Sequence, residues 1–532
     1  MIKDATATTA ATTSTMRVSR RAMSGLAPTV RGIVEAAASS SSSSSSPASS
    51  SSSSSSPSPS SDATTSASGW IRSLRSHKKV AFAELDDGSG GTLQAVLKGP
   101  SRALADELTP GTAVHLSGAL SPSKGAGQAV ELLVDAGTVL GPVSDGYPIQ
   151  KKALPASVLR ENAHLRFRTG AMGATVRVRD ALARDWHDWF EAHEFVHVHT
   201  PILTANDCEG AGEVFTVAQS LPGVQKEPFF PRPVNLTVSG QLHLEAPTHA
   251  LGRTYTLSPA FRAEPSQTSR HLAEFYMLEA EVAFVDNLDS LLDIAEASVR
   301  DTVSTLLHSD SRRARRARED IGRIAASKVA AEAEERASAG LPPLPPPCKE
   351  PTPLAHLEAA TTPFKRMTYA DAVVLLETEH KERPFERAPG EGLASEHERW
   401  LCEHFGTPVF VTHYPVTQKP FYMLPSDADA STPSSAAAAG ATVACFDLLF
   451  PGIGEMAGGS MREHRLDALR DSLARHGLPE HEYQWYLDLR RFGSAPHGGW
   501  GMGWERWVCW VTGQANVRDV VAFPRWAGSC RF

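Results

Sequence analysis

Cysteine is scarce in this 532-residue chain. The six cysteines, Cys208, Cys348, Cys402, Cys445, Cys509 and Cys530, are scattered and none forms a C-x-x-C pair. That spread excludes a zinc knuckle and a disulfide framework, and it suits thiols in a reducing compartment. Long hydrophobic runs are missing too. None approaches the roughly 20 apolar residues that cross a bilayer, so no membrane association is expected. Positive charge is not in excess: 52 basic residues stand against 60 acidic ones, a net charge of -8. A bulk electrostatic coat for nucleic acid is thereby excluded, and any RNA contact must come from a local patch or from shape. There is no internal repeat.

The length exceeds one ordinary domain and allows a large core. Residues 1–26 hold Lys3, Arg17, Arg20 and Arg21 against the single acid Asp4, among Ser, Thr and Ala. That composition suits a transit peptide for a mitochondrion or chloroplast; the alternative is a cytoplasmic protein with an unaddressed disordered tail. The serine tract at 39–61 cannot bury enough apolar area to fold. Just before it, Val30–Val34 reads either as part of a first barrel strand split by the tract or as a mere likeness of one. Residues 69–142 contain short alternating strands with turn punctuation, such as Val80–Ala83 and Leu93–Leu97, and suggest a small β-barrel of the OB type. Arg72, Arg75, His77, Lys78 and Lys79 place positive charge beside Phe82, a combination suited to unstacked RNA bases, although Phe82 reads equally well as a core aromatic. A hinge over 143–165 leads to a mixed domain over 166–532. An interruption at 309–362 opens with the basic run Arg312–Arg318, read as a solvated helix face, and ends in the proline-rich 341–347.

The densest chemistry lies in Phe261-Arg262-Ala263-Glu264 and Arg270-His271-Leu272-Ala273-Glu274-Phe275. Two arms joined by a polar loop suit an antiparallel hairpin with a functional tip. The residue types suit a nucleotide: a guanidinium grips phosphate, an acid accepts from the adenine amino group, and an aromatic offers a stacking face. Asp447 and Glu455 flank a Gly-Pro turn, and two carboxylates are what magnesium needs, since phosphates complete its shell. Asp207–Glu213 reads as a mobile loop covering the substrate, with Glu209 able to hold an ammonium group. Leu236–Leu242 reads as a strand of small residues in which Gln241 can donate and accept.

The strings DCEGAGE (207–213), LTVSGQL (236–242), FRAE and SRHLAEF (261–275), DLLFPGIGE (447–455), GGSMRE (458–463) and DLRRFGSAPHGGWGMGWER (488–506) resemble, together, an asparaginyl-tRNA synthetase of bacterial or organellar type. Phe195–Pro201, Phe261–Phe275 and Gly501–Arg506 resemble motifs 1, 2 and 3 of the class II synthetases. The resemblance covers most of residues 147–532. It implies an α+β protein: an N-terminal OB-fold barrel that binds the anticodon, and a class II catalytic domain built on an antiparallel sheet flanked by helices. It implies ATP, Mg2+, L-asparagine and tRNA(Asn) as ligands, and a homodimer with Pro201 at its interface. Arg262 would bind the α-phosphate and the amino-acid carboxylate, Glu264 the adenine, and Phe275 would stack on it. Arg270 and His271 would touch the β- and γ-phosphates, and Arg506 the γ-phosphate. Asp447 and Glu455 would carry magnesium. Glu209 would meet the α-ammonium, Gln241 and Arg462 would line the side-chain pocket, and Phe82 and Gln94 would read the anticodon.

The chain departs from that pattern at Met461, where glutamine is usual, and at Trp500 and Trp504, where phenylalanine is usual. The aspartyl sister family shares fold and mechanism but needs a cationic pocket; here His243 follows Gln241-Leu242 with no lysine nearby, which favours an amide. A non-catalytic tRNA-binding paralogue would have lost a motif arginine or a metal carboxylate, and this chain keeps Arg262, Glu264, Arg506, Asp447 and Glu455.

Overall fold

A computed structural model describes residues 26–42, 64–123, 125, 128–149, 154–206, 213–218, 229–342, 354–380, 392–426 and 440–532. The chain divides between Asp145 and Gly146 into two compact units.

The N-terminal unit is a closed five-stranded barrel. Its strands are β1 (Thr65–Ser76), β2 (Val80–Asp86), β3 (Thr92–Lys98), β4 (Ala113–Pro122) and β5 (Val130–Gly141), in the order β1-β2-β3-β5-β4. Only β3 and β5 pair parallel; the other neighbours are antiparallel. The period of two is plain in β2, where Ala81, Ala83 and Leu85 are buried in the barrel and Phe82 and Glu84 point away. Phe82 is therefore not a core aromatic.

The first strand is not split. β1 is continuous, and the Val30–Val34 segment belongs to a helix, α1 (Val30–Ser42). Val30 and Ile33, three apart on one helical face, are buried with the barrel core. Asp87 accepts from the Val30 amide at 2.8 Å and Ser89 from the Arg31 amide at 3.1 Å, so two of the helix's orphan donors are satisfied by the β2–β3 turn. Gly91 lets the helix come that close, since a Cβ there would lie 2.8 Å from the Arg31 Cα. The serine tract begins inside the last turn of α1, and its remainder, like residues 1–25, lies outside the described residues.

The second unit contributes strands β6 (Val196–His197), β7 (Leu203–Thr204), β8 (Asn235–Leu236), β9 (Arg253–Phe261), β10 (Glu274–Ala283), β11 (Lys365–Thr368), β12 (Val409–Thr412), β13 (Cys445–Phe450), β14 (Gly454–Met461) and β15 (His497–Gly503). Eight of them form one sheet in the order β11-β12-β13-β14-β15-β10-β9-β6, antiparallel except for its two edge pairs, while β7 and β8 pair separately. The helices are α2 (Ala156–Glu161), α3 (Gly170–Ala192), α4 (Gln241–Leu251), α5 (Leu288–His308), α6 (Arg312–Ser338), α7 (Tyr369–Glu379), α8 (Ser395–Phe405), α9 (Leu466–Arg475), α10 (Gln484–Arg491) and α11 (Trp504–Thr512).

Aromatics from distant segments fill the space between sheet and helices. Trp186 of α3 lies 5.9 Å from Trp500 of β15 and 5.7 Å from Trp507 of α11, ring centre to ring centre. Trp500 and Trp504 are thus packing residues, buried in the main core. The basic run opens α6, whose first half has two faces: Arg312 and Arg315 are exposed, while the other side is packed. Ala314, Ala317, Ile321 and Ile324 are buried, Arg313 pairs with Asp185 of α3 at 2.7 Å, and Arg177 pairs with Asp320 at 2.8 Å. Met461 is buried too, at the end of β14.

Candidate active site

β9 and β10 form the expected hairpin, with Phe261 opposite Glu274. Arg262, Glu264, Arg270 and His271 lie in the loop between them, beyond the named strands, with one further cross-arm bond from the Arg262 amide to the Ala273 carbonyl at 3.0 Å. The loop is tied from outside by the C-terminal segment: Ser269 accepts from the Val517 amide at 3.0 Å, and Gln267 accepts from the Arg518 guanidinium at 3.0 Å. One cavity gathers Arg262, Glu264, Arg270, His271 and Phe275 of this hairpin, Glu455 and Gly458 of β14, and Gly501 and Arg506 of the β15–α11 segment. Segments up to 244 residues apart meet there because β14, β15 and β10 are neighbours in the sheet.

The side chains are mutually braced. Glu264 lies 3.8 Å from Arg262 and 3.4 Å from His271, and the Arg262 guanidinium stands 5.5 Å from the Phe275 ring. Burial, partly offset by Glu264, lowers the His271 pKa, so the ring is neutral near pH 7. Arg506, in the first turn of α11, donates to the Glu455 carbonyl at 2.8 Å and to its carboxylate at 3.3 Å. Glu455 is partly exposed; its partial desolvation would raise its pKa, but Arg506 and Lys419 outweigh that and keep this carboxylate ionised. The buried Nε of Arg270 has no hydrogen-bond partner among the described residues, as an arginine awaiting an anion would. Such a concentration of guanidinium groups suits a polyphosphate.

Two residues here escaped the sequence reading. Glu398 of α8 accepts from the Glu455 amide at 3.0 Å and lies 3.9 Å from Arg270; burial and the Glu455 charge push its pKa up to about 7. Lys419 donates to both oxygens of Asp447, at 2.8 and 2.9 Å. Neither sits in a motif, and only the packing of α8 and the 416–419 turn against the sheet brings them in.

Asp447 of β13 and Glu455 of β14 converge over Gly458. A Cβ on that glycine would lie 3.5 Å from one Asp447 oxygen and 3.8 Å from one Glu455 oxygen. The cradle, with an ammonium already drawn to it, fits a cation. Among the described residues no cluster of three or more His, Cys, Asp or Glu side chains could hold a metal alone. The pair therefore fits an ion that keeps most of its shell for phosphate and water.

Behind Gly501, whose Cβ would touch the Glu279 side chain at 3.4 Å, lies a buried polar floor. Arg462, 2 % exposed, donates to Glu281 at 2.5 and 3.3 Å and to Ser460 at 2.7 Å, and stands over the Tyr422 ring. Glu245 accepts from Arg490 at 2.8 Å, from Tyr486 at 2.8 Å and from Gln241 at 3.2 Å. Its carboxylate also lies 3.1 Å from His497. Burial would raise the Glu245 pKa, but Arg490 and His497 hold it well below the carboxylate range. Gln241 and Arg462 thus border one charge-balanced floor.

Gln241 does not lie in a strand. Within 236–242 only Leu236 is extended in a ladder, and Gln241 opens α4. Glu279 of β10 accepts from the Ser239 hydroxyl at 2.5 Å and the Gly240 amide at 2.9 Å, and this bends the chain into the helix. Glu245, Glu279 and Glu281 were missed, while Arg490 and His497 stood in the 488–506 string without a role. For Glu279 and Glu281 a signal existed: two acids two apart, in a strand whose Leu278, Ala280 and Val282 face the other side.

Glu209 lies outside the described residues. Pro201 is exposed, beside the exposed Ile202 and Leu203. In the barrel, Phe82 faces outward with the Arg75 guanidinium 5.9 Å from its ring. Gln94 of β3 accepts from Arg75 at 3.2 Å and donates to Glu131 at 2.9 Å.

The chain is similar to known proteins over most of its length. The family described as "tRNA synthetases class II (D, K and N)" matches residues 156–527, and that described as "OB-fold nucleic acid binding domain" matches 66–140. An asparaginyl-tRNA synthetase of Mus musculus is 41% identical over 471 residues, spanning 87% of this chain and 90% of that relative. An asparagine–tRNA ligase of Syntrophobacter fumaroxidans is 41% identical over 486 residues, with 88% and 96% covered. The chain belongs to the asparaginyl-tRNA synthetase family. A solved asparaginyl-tRNA synthetase of Pyrococcus horikoshii, complexed with asparaginyl-adenylate, superposes with a TM-score of 0.73 at 28% identity, covering 88% of this chain and 96% of that one. No helix among the described residues is long and apolar enough to cross a membrane.

Proposed function

We propose that this synthetase activates L-asparagine with ATP, releases pyrophosphate, and transfers asparagine from the adenylate to the 3′ end of tRNA(Asn). One observation carries the reading: the cavity that gathers Arg262, Glu264, Arg270, His271, Phe275, Glu455 and Arg506 backs onto a neutral, buried floor around Arg462. The first half suits ATP and the second a small uncharged amide.

Arg262 bridges the α-phosphate and the asparagine carboxylate, holding the nucleophile in line with the phosphorus. Glu264 accepts from the adenine amino group, and Phe275 stacks on the base. Arg270, whose Nε has no partner among the described residues, and His271 meet the β- and γ-phosphates, and Arg506 meets the γ-phosphate. Charge that develops on the departing pyrophosphate is met by these fixed guanidinium groups, with no protein nucleophile required. Mg2+, held by Asp447 and Glu455, would supply further charge neutralisation there. Glu209 holds the α-ammonium, while Gln241 and Arg462 present a donor to the side-chain carbonyl.

Phe82 and Gln94 form the anticodon-reading face of the barrel, since an outward aromatic flanked by Arg75 suits a stacked base. The exposed Val196, Ile202 and Leu203 beside Pro201 support a homodimer through that edge. Delivery to a mitochondrion or chloroplast is proposed on the composition of residues 1–26. The test is ATP–pyrophosphate exchange on the purified chain. Exchange driven by asparagine and not by aspartate is expected; exchange driven by aspartate would refute the pocket assignment.

A further inference from the structure

The chemistry above makes no use of Lys419, yet its surroundings are built. Lys419 follows the short turn Val416–Gln418 and clamps both oxygens of Asp447. Its ammonium lies 4.0 Å from the centre of the Tyr414 ring, a favourable cation–π contact. Tyr414 is buried, and its hydroxyl donates to the same Asp447 carboxylate. The Lys419 side chain is 15 % exposed and that of Asp447 17 %. An aromatic wall, a two-oxygen clamp and this degree of enclosure set the pair apart from a surface salt bridge, in which solvent competes for both partners.

The clamp also lies where a second cation is wanted. An Asp447 oxygen converges with one of Glu455 over Gly458, and both Asp447 oxygens are already engaged by Lys419. A divalent ion approaching Asp447 meets an ammonium of like charge on the same oxygens, in a site with little water to screen the repulsion. A triphosphate brings enough negative charge for both cations.

We propose that Lys419 is the resident counter-cation of this site. It neutralises Asp447 while nucleotide is absent, suppresses divalent-cation binding to the free enzyme, and makes metal entry depend on ATP. The inference rests on the reading of Asp447 and Glu455 as the metal pair.

Mn2+ binding to the full-length protein, followed by electron paramagnetic resonance, tests it without recourse to activity. Lys419→Met keeps an unbranched chain and removes the charge. The nucleotide-free variant should bind Mn2+ about tenfold more tightly than the natural protein, the value of one charge-assisted contact. Lys419→Arg should return to the natural affinity. Unchanged or weaker Mn2+ binding in a folded Lys419→Met overturns the proposal. Should that variant fail to fold, Lys419→Gln, which can still donate to Asp447, carries the same expectation and the same refutation. The natural protein with a non-hydrolysable ATP analogue separates the two readings. Mn2+ bound there, with nucleotide-free binding that does not change in Lys419→Met, sinks this inference alone, whereas no Mn2+ bound in any form sinks the metal pair and the inference with it.

Discussion

Replacing Glu281 by glutamine should turn the amino-acid pocket towards aspartate. Arg462 and Glu281 are 2 % and 1 % exposed, and the guanidinium meets the carboxylate at 2.5 and 3.3 Å. The floor under the substrate side chain is therefore close to neutral, which suits an amide and leaves a carboxylate with no compensating charge. Glu281→Gln keeps the shape and deletes one negative charge, so Arg462 becomes a net cation at the pocket wall. At an effective dielectric near 20, a unit charge about 5 Å from a substrate carboxylate contributes about 3 kcal/mol. The ratio of kcat/KM for aspartate over asparagine should rise by about 100-fold in ATP–pyrophosphate exchange at pH 8. Stability should fall by about 3 kcal/mol, because one half of a buried ion pair is left behind. An internal control exists. Burial, reinforced by Glu245 and Glu279 and opposed by Arg462, raises the Glu281 pKa above the ordinary carboxylate range. Lowering the pH to 6 should therefore move the natural enzyme part of the way towards the variant. A folded Glu281→Gln whose aspartate-to-asparagine ratio is unchanged, or which loses both substrates equally, refutes the charge-balance reasoning.

Glu398, whose pKa burial and Glu455 push up to about 7, holds its proton in the folded state between its unfolded value and pH 7. Its contribution to stability is present below the unfolded pKa and lost as pH rises through 7, about 3 kcal/mol in all. Glu398→Gln should flatten that loss, so its thermal midpoint should exceed the natural one at pH 8 but not at pH 5; a slope retained in the variant would sink the assignment. Arg506→Ala should slow asparagine-dependent exchange about 100-fold, the worth of a preorganised charged contact of about 3 kcal/mol. Its melting should barely move, since the side-chain pair it forms with Glu455 is partly exposed at 26 % and 43 %; unaltered exchange would contradict the phosphate role. Phe82→Ala should weaken tRNA aminoacylation by about 1–3 kcal/mol, the value of a stacked base, while exchange and barrel stability stay as they were. Loss of exchange would speak against it. Deleting residues 1–26 should leave the barrel's stability unchanged, whereas deleting 1–60 removes Val30 and Ile33 from its core and should cost about 3–5 kcal/mol, read by limited proteolysis of the barrel. An equally protected barrel after both deletions would mean that α1 is dispensable.

Much of this was legible because the relevant residues are contiguous. The β9–β10 loop, the Asp447–Glu455 turn and the Gly501–Arg506 segment each carry their chemistry within fifteen residues, and turn chemistry and strand alternation are local signals. The same signals suggested the barrel, whose β2 alternates cleanly. They failed where a distant group chose the conformation. Gln241 opens a helix because Glu279, on another strand, takes the Ser239 and Gly240 donors. Val30–Val34 is helical because the barrel offers an apolar seat and the β2–β3 turn offers two acceptors. Within the basic run of α6, Arg313 is drawn onto α3 because Asp185 and Asp188 receive it.

By itself, then, the sequence determined the two-part architecture, the family and the set of groups that can face a nucleotide. All of these follow from short patterns of residue type and from their order along the chain. Tertiary structure alone decided the charge state of the pockets. Arg462 is neutralised by a glutamate 181 positions away, Asp447 is held by Lys419, and Glu398 reaches Glu455 from a separate helix. Electrostatic balance in a buried site depends on distance and desolvation, and neither is written in the spacing of residues along a chain.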